Sequence, residues 1–364
     1  MEGSNAASPE VRVEVLSPGN SDLRGLAAVA QGLSLPVSDI AARIWRAPAV
    51  LLDRVDRSTA ERFVAILATV GLHARVADPA APIPDPPLFD LAVQVTDPGR
   101  VGEVVEALSA ALGLEPVQAY ELLATPPGSI LGGVGEASSL VLDERLGPGA
   151  RILRSPSGQG PYDLYVEPGT RLPASVLREY PEFAARAVEG YVPLGLEHGE
   201  AETLWIQLKS HAGARLIPRA LVRFEVVLSR PVTPNPARIA LLEAAFGIPR
   251  ALAPRMLAIA PLSLTDDLTF DDARAAVDRS RRVGIPTDWE PMYFGRAGVR
   301  VEEVKDRDEF NRTLTRFGMD LPDRLPALVA RNLVDLEARR LMAALSAAGA
   351  RAQFTEPVLE GANR

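Results

Sequence analysis

The chain of 364 residues has no cysteine, three histidines and, although 39 of its residues are basic, only two lysines, Lys209 and Lys305. Without a thiol there is no disulfide framework, no cysteine nucleophile and no zinc–thiolate site. His73, His198 and His211 leave little material for a metal centre or a catalytic triad. Lys209 sits in Ile-Gln-Leu-Lys-Ser and Lys305 in Glu-Glu-Val-Lys-Asp, so neither completes the Gly-Lys-Ser/Thr of a Walker-type phosphate loop. The net charge of −8 lacks the clustered cations that a nucleic-acid backbone requires, so no nucleic-acid partner is expected. No apolar run of about 18 residues marks a membrane span. The N-terminal Met-Glu-Gly-Ser-Asn lacks the basic and apolar segments of a signal peptide, and a cytoplasmic protein without membrane insertion is expected.

What is present is apolar and repetitive. Apolar residues make up 47% and aromatic residues 5%, which points to a globular chain with a core of Ala, Val and Leu. The block Ala-Pro-Ala-Val-Leu-Leu-Asp-Arg-Val at 47–55 leads through a helical pattern to Gly71 and an alternating stretch. It recurs at 325–333, leading to Gly349, and the spacing from proline to glycine is 23 for Pro48–Gly71, Pro261–Gly284 and Pro326–Gly349. Looser copies run from Pro127 to Gly149 and from Pro193 to Gly213. Eleven residues before the glycine, Ala60, Ala273 and Ala338 each open a helix whose next apolar pair lies one turn on, on the same face. The glycine suits a left-handed helix exit, and the residues after it alternate as a half-buried strand does. Trp205, eight residues before Gly213, aligns with Phe63 and Leu341 and is expected in the core.

Upstream of each block lie a strand and one or two helical segments; the opening strands are 11–16, 91–95, 162–166, 224–228 and 299–304. The expected fold class is therefore α+β: a tandem array of about five small βααβαβ repeats, each a three-stranded antiparallel sheet covered by helices. Its expected boundaries are repeat one at 11–78, repeat two at 90–156, repeat three at 161–218, repeat four at 223–290 and a degenerate repeat five at 297–357, where 317–326 leaves no room for a second helix. A disordered tail is expected at 1–10, a second tail at 358–364, and a semi-rigid proline-rich linker at 79–89. A repeat of about 60 residues is marginal alone, so repeats two to five are expected to pack together. The first, behind the proline-rich spacer, is expected to stand more independently and to fold as a fragment.

The order strand, helix, helix, strand, helix, glycine, strand resembles the C-terminal domain of the bacterial ribosomal stalk protein. The residues that carry the resemblance are Gly32-Leu33-Ser34-Leu35, Ala47-Pro48, Leu51-Leu52, Ala60-Glu61 and Gly71 in the first copy. They continue with Gly113-Leu114 in the second, Phe246-Gly247-Ile248 and Ala260-Pro261 in the fourth, and Gly-Ala-Arg at 149–151, 213–215 and 349–351. The Clp protease adaptor has a related shape. That family recruits translation GTPases through a lysine-rich face on its first two helices. Here the corresponding positions hold Asp22, Arg24, Ser38 and Asp39, and in the second copy Arg100 and Glu103. What the resemblance implies is a small non-catalytic module that docks other proteins by a helical face.

Candidate site residues are few. Trp45 and Trp289 align with no core position and read as interface anchors. Arg151, Arg215 and Arg351, the arginines of Gly-Ala-Arg, fall on the solvent side of their strands; they read as solvated residues or as a row pairing with carboxylates of a neighbouring copy. His198 and His211 read as surface or capping residues. Asp271 and Asp272 read as first-turn carboxylates, and Gly132-Gly-Val-Gly135 as a replaced turn more than a phosphate cradle. No catalytic residue, cofactor or metal ligand is expected. The function expected is a non-catalytic protein–protein scaffold or adaptor, a subunit of a larger bacterial assembly. The alternatives are a ribosome- or translation-factor-associated protein, and a small-ligand binder or enzyme using a cleft between repeats.

Overall fold

The computed structural model describes residues 10–167, 170–180, 190–211 and 213–355. The expected tails lie outside the described residues, except that Glu10 opens the first strand and that residues up to 355 close the last. The five copies are five separate three-stranded antiparallel sheets with helices, an α+β tandem array. In each sheet the strand that comes first in sequence is central. β1 (Glu10–Ser17) lies between β2 (Ala49–Asp56) and β3 (His73–Ala77), and β4 (Leu88–Val95) between β5 (Ser129–Gly135) and β6 (Ala150–Pro156). β7 (Tyr162–Val166) is flanked by β8 (Tyr191–Leu196) and β9 (Ala214–Pro218), and β10 (Phe224–Leu228) by β11 (Leu262–Leu268) and β12 (Thr287–Pro291). β13 (Arg296–Val304) is flanked by β14 (Ala327–Val334) and β15 (Ala350–Thr355).

Copy one carries α1 (Leu23–Leu33), α2 (Val37–Trp45) and α3 (Arg57–Thr69); copy two carries α4 (Val101–Leu112), α5 (Pro116–Ala124) and α6 (Glu136–Leu146). Asp22 and Asp56 cap α1 and α3 by accepting backbone N–H bonds. Copy five has one helix, Arg307–Arg316, between β13 and β14, as the short spacing required. Ala60, Ala273 and Ala338 are buried in the last helix of copies one, four and five. The core of copy one is built from Val11, Val13 and Val15 of β1 against Leu26, Ile40, Ile44 and Leu67. No single helix among the described residues is long and apolar enough to cross a membrane; α1 and α2 together reach that composition but meet at a 116° bend.

The repeated proline precedes the second strand in four copies, and Pro48, Pro127, Pro261 and Pro326 all follow cis peptide bonds. Pro193 instead lies inside β8. Gly71, Gly213, Gly284 and Gly349 leave their helices with positive φ, whereas in copy two that conformation belongs to Gly147 and not to Gly149. Trp205 is not in the core: it is 43% exposed, while Ala201, Leu204 and Leu208 are buried. The buried positions of copy three stand one residue further from the glycine than Ala60 and Leu67 do from Gly71. One extra residue before Gly213 thus turns the helix by roughly 100° and brings Leu204 inward in place of Trp205.

A second repeated feature escapes the sequence pattern. Six residues after each of the four prolines, Arg54, Gly133, Asp267 and Asn332 have positive φ, and Gly195 does so in copy three. The register slips there: Val11 pairs with Val55 but Val13 with Leu52, and the second strands of copies two and four slip by one residue in the same way, so these three sheets bulge by the same device. The Gly132–Gly135 run is accordingly part of a bulged strand and not a turn.

Copies one, two and five pack as one compact unit, and copies three and four as another. Copy one is therefore not the independent module the spacer suggested. The Ser138 hydroxyl at the start of α6 donates to the Ile44 carbonyl at 3.0 Å, and Arg145 donates to the carbonyls of Gly19 and Ser21. A methyl group on Gly135 would stand 2.1 Å from the Ala47 carbonyl oxygen, so the two copies touch backbone to backbone. Copy five joins through Leu336, which enters the core of copy two, and through Arg339, which donates to the Val95 carbonyl at 3.0 Å. The proline-rich segment folds back as a strap, its Pro79 and Ala81 carbonyls accepting from the buried Arg12 guanidinium at 2.9 and 3.2 Å. Arg12 and Glu14 on the face of β1 opposite the valines are thus covered, and β1 is buried on both faces. In the other unit Tyr165 and Tyr191 of copy three pack with Phe224, Val226 and Phe294 of copy four.

Candidate functional site

In copies one to three the bulged strand is pinned from the central strand. Asp90 of β4 accepts the Gly133 N–H at 3.2 Å, and Asp163 of β7 accepts the Gly195 N–H at 2.8 Å. In copy one the polarity is reversed: Arg12 donates to Asp53, next to the bulge residue Arg54, at 3.3 Å. Asp163 is fully buried and takes two parallel bonds from Arg219, both at 2.7 Å, besides the Tyr191 hydroxyl. Burial, then the Asp163 charge, pushes the Tyr191 phenol far above its ordinary value. Burial alone would lower the Arg219 guanidinium, but its hydrogen bonds to Asp163 and that charge outweigh burial, and the net shift is upward. Arg219 also lies 4.1 Å from the centre of the Phe270 ring. This network is satisfied from within and joins the end of copy three to copy four.

The Gly-Ala-Arg arginines find partners on, or one residue past, the central strand of their own sheets. Arg151 donates to Gln94 at 2.6 Å, Arg215 to Glu167 at 2.6 Å and Arg351 to Glu303 at 2.8 Å. They occupy equivalent places in three copies. Trp289 packs edge-on to Phe224 and Phe270 at 5.6 and 5.1 Å, half-buried inside its own unit. His198 pairs with Glu202 across one turn, and Asp271 and Asp272 occupy the first turn of Phe270–Arg282 behind the Thr269 cap. Among the described residues no three His, Cys, Asp or Glu gather as metal ligands would.

Trp45 is different. It closes α2, packs against the core of copy two and lines a groove of about 410 Å³ at the junction of the two copies. It is lined by Ala41, Ala42, Trp45 and Arg46 at the end of α2, by Leu112, Leu114 and Leu122 from α4, α5 and their link, and by Ile130 to Gly133 of β5. Arg46 is the only titratable residue of the lining; it is exposed, and its guanidinium stands 3.8 Å from where a Gly133 side chain would begin. Sequence reasoning found Trp45 and the glycine run separately. It missed that they meet, and it missed Arg46, Leu112 and Leu122, which carry no motif; Leu114 was read only as part of the Gly113-Leu114 pair.

The fold defines a tandem array of five small three-stranded modules grouped in two units. Comparison with protein-family models, curated proteins and solved structures gave no match.

Proposed function

We propose that the chain is a non-catalytic protein-docking scaffold, a component of a larger bacterial assembly, with the groove between copies one and two as its docking site. The observation that supports this reading is the composition of the groove. Ten of its eleven lining residues are apolar or glycine and the eleventh is arginine, so it offers contact surface and one cation but no nucleophile, imidazole or carboxylate for proton transfer. The resemblance of each copy to the ribosomal stalk domain, whose work is docking, agrees with it. The test is affinity purification of the full tagged chain from its native host. A protein retained in stoichiometric amount above a tag-only control is the expected result, and no protein above that control overturns the reading. Co-purifying ribosomes would assign the assembly to translation.

A further inference from the structure

The groove has a direction. β5 is the outer strand in the order β5-β4-β6, so one of its edges is not paired with β4. The groove is lined by Ile130, Leu131, Gly132 and Gly133 in succession, and the two glycines can line it only with their main chain. α2 contributes the small side chains Ala41 and Ala42 to the same groove. The groove is closed beyond Gly133, where Gly135 abuts the Ala47 carbonyl. Edge strands open to solvent are templates for a further strand, and a groove beside such an edge is how extended peptides are commonly bound.

We propose, on the docking reading above, that the groove takes an extended acidic peptide segment of a partner protein. Its main chain pairs with the free edge of β5 along Ile130–Gly132. One apolar side chain seats between Trp45 and Leu114, and an acidic side chain meets Arg46. The charge of the partner follows from Arg46, an exposed guanidinium with no carboxylate among the lining residues, whose planar fork suits a carboxylate. Gly133 does not take part in the pairing because its N–H is already held by Asp90.

The probe is a phage-displayed library of random linear dodecapeptides selected on the immobilised full chain. Enriched peptides are expected to alternate apolar and acidic residues. Arg46→Glu should weaken their synthetic versions at least tenfold, and peptides with lysine for the acid should regain binding to that variant. Ala42→Phe, at an exposed position of α2, should block the groove and weaken them similarly. Hydrogen exchange of the 130–133 amides should slow when peptide binds. The proposal is overturned if no linear peptide is enriched, if the enriched peptides lack acidic residues, or if they bind both variants as well as the parent. Concentration-dependent self-association of the chain that Arg46→Glu abolishes would make a second copy the occupant and overturn it too. A natural partner retained equally by Arg46→Glu and parent sinks this inference alone; retention of no partner sinks the docking reading beneath it.

Discussion

Replacing Asp163 by alanine should be among the most damaging single changes in copies three and four. The carboxylate accepts four hydrogen bonds: two from Arg219, one from the Gly195 N–H and one from the Tyr191 hydroxyl. Its side chain is 0% exposed and that of Arg219 17%, so water cannot replace the lost acceptor at Tyr191 and only partly reaches the guanidinium. Breaking a buried ion pair from one side costs about 3–5 kcal/mol. With a urea dependence of about 2 kcal/mol per molar for a unit of this size, a loss of about 4 kcal/mol lowers the unfolding midpoint by about 2 M. Trp289 is the natural reporter, because its ring contacts Phe224 and Phe270 and Arg219 lies over Phe270. A Trp45→Phe, Trp205→Phe background leaves it as the sole tryptophan. Arg219→Met should also destabilise, and Asp163→Leu with Arg219→Met should lose less than the sum of the single changes by about 1.5 kcal/mol or more. Strict additivity, or a midpoint shift under about 0.5 M for Asp163→Ala, would refute the reasoning that the pair is buried and mutually dependent.

Gly135→Ala leaves an ordinary extended backbone but drives a methyl into the Ala47 carbonyl, so it should loosen copy one from copy two and speed proteolysis in the 79–87 strap; unchanged cleavage would count against that contact. Trp289→Ala should cost about 3 kcal/mol by opening an aromatic cluster, whereas Trp205→Ala, on an exposed helix face, should cost less than about 1 kcal/mol; thermal unfolding of the two variants should rank them in that order. The Asp56 carboxyl is held at about 2, below its usual 3.8, chiefly by hydrogen bonds from the side chain and backbone N–H of Thr59. A depressed native value stabilises the folded state above pH 4 and fades as pH falls from about 4 towards 2. The difference in melting temperature between the parent and Asp56→Asn should therefore shrink below pH 4, and a difference that grows on acidification would contradict the assigned hydrogen bonds.

Much of the fold was legible because it rests on local chemistry repeated five times. The opening strand at 11–16, with Val11, Val13 and Val15, and the alanines that open the helices ahead of the glycine exits are set by periods and by neighbours within a few residues. The bulges were not legible, since Arg54, Gly133, Asp267, Gly195 and Asn332 share a backbone conformation but no residue type. Trp205 was misplaced by one inserted residue, which an alignment of spacings absorbs but a helix cannot.

By itself, then, the sequence determined the module and its number of copies, because strand and helix periods and glycine exits are written residue by residue. Only the tertiary structure decided which modules touch. The partners of Ile44, Gly19 and Arg12 lie 94, 126 and 67 residues away, at Ser138, Arg145 and Pro79. Packing between copies carries no period, and a glycine that reads as a turn in sequence proves to be room for a neighbour's backbone. The groove that joins Trp45 and Arg46 to the edge of β5 exists only once those distant surfaces meet.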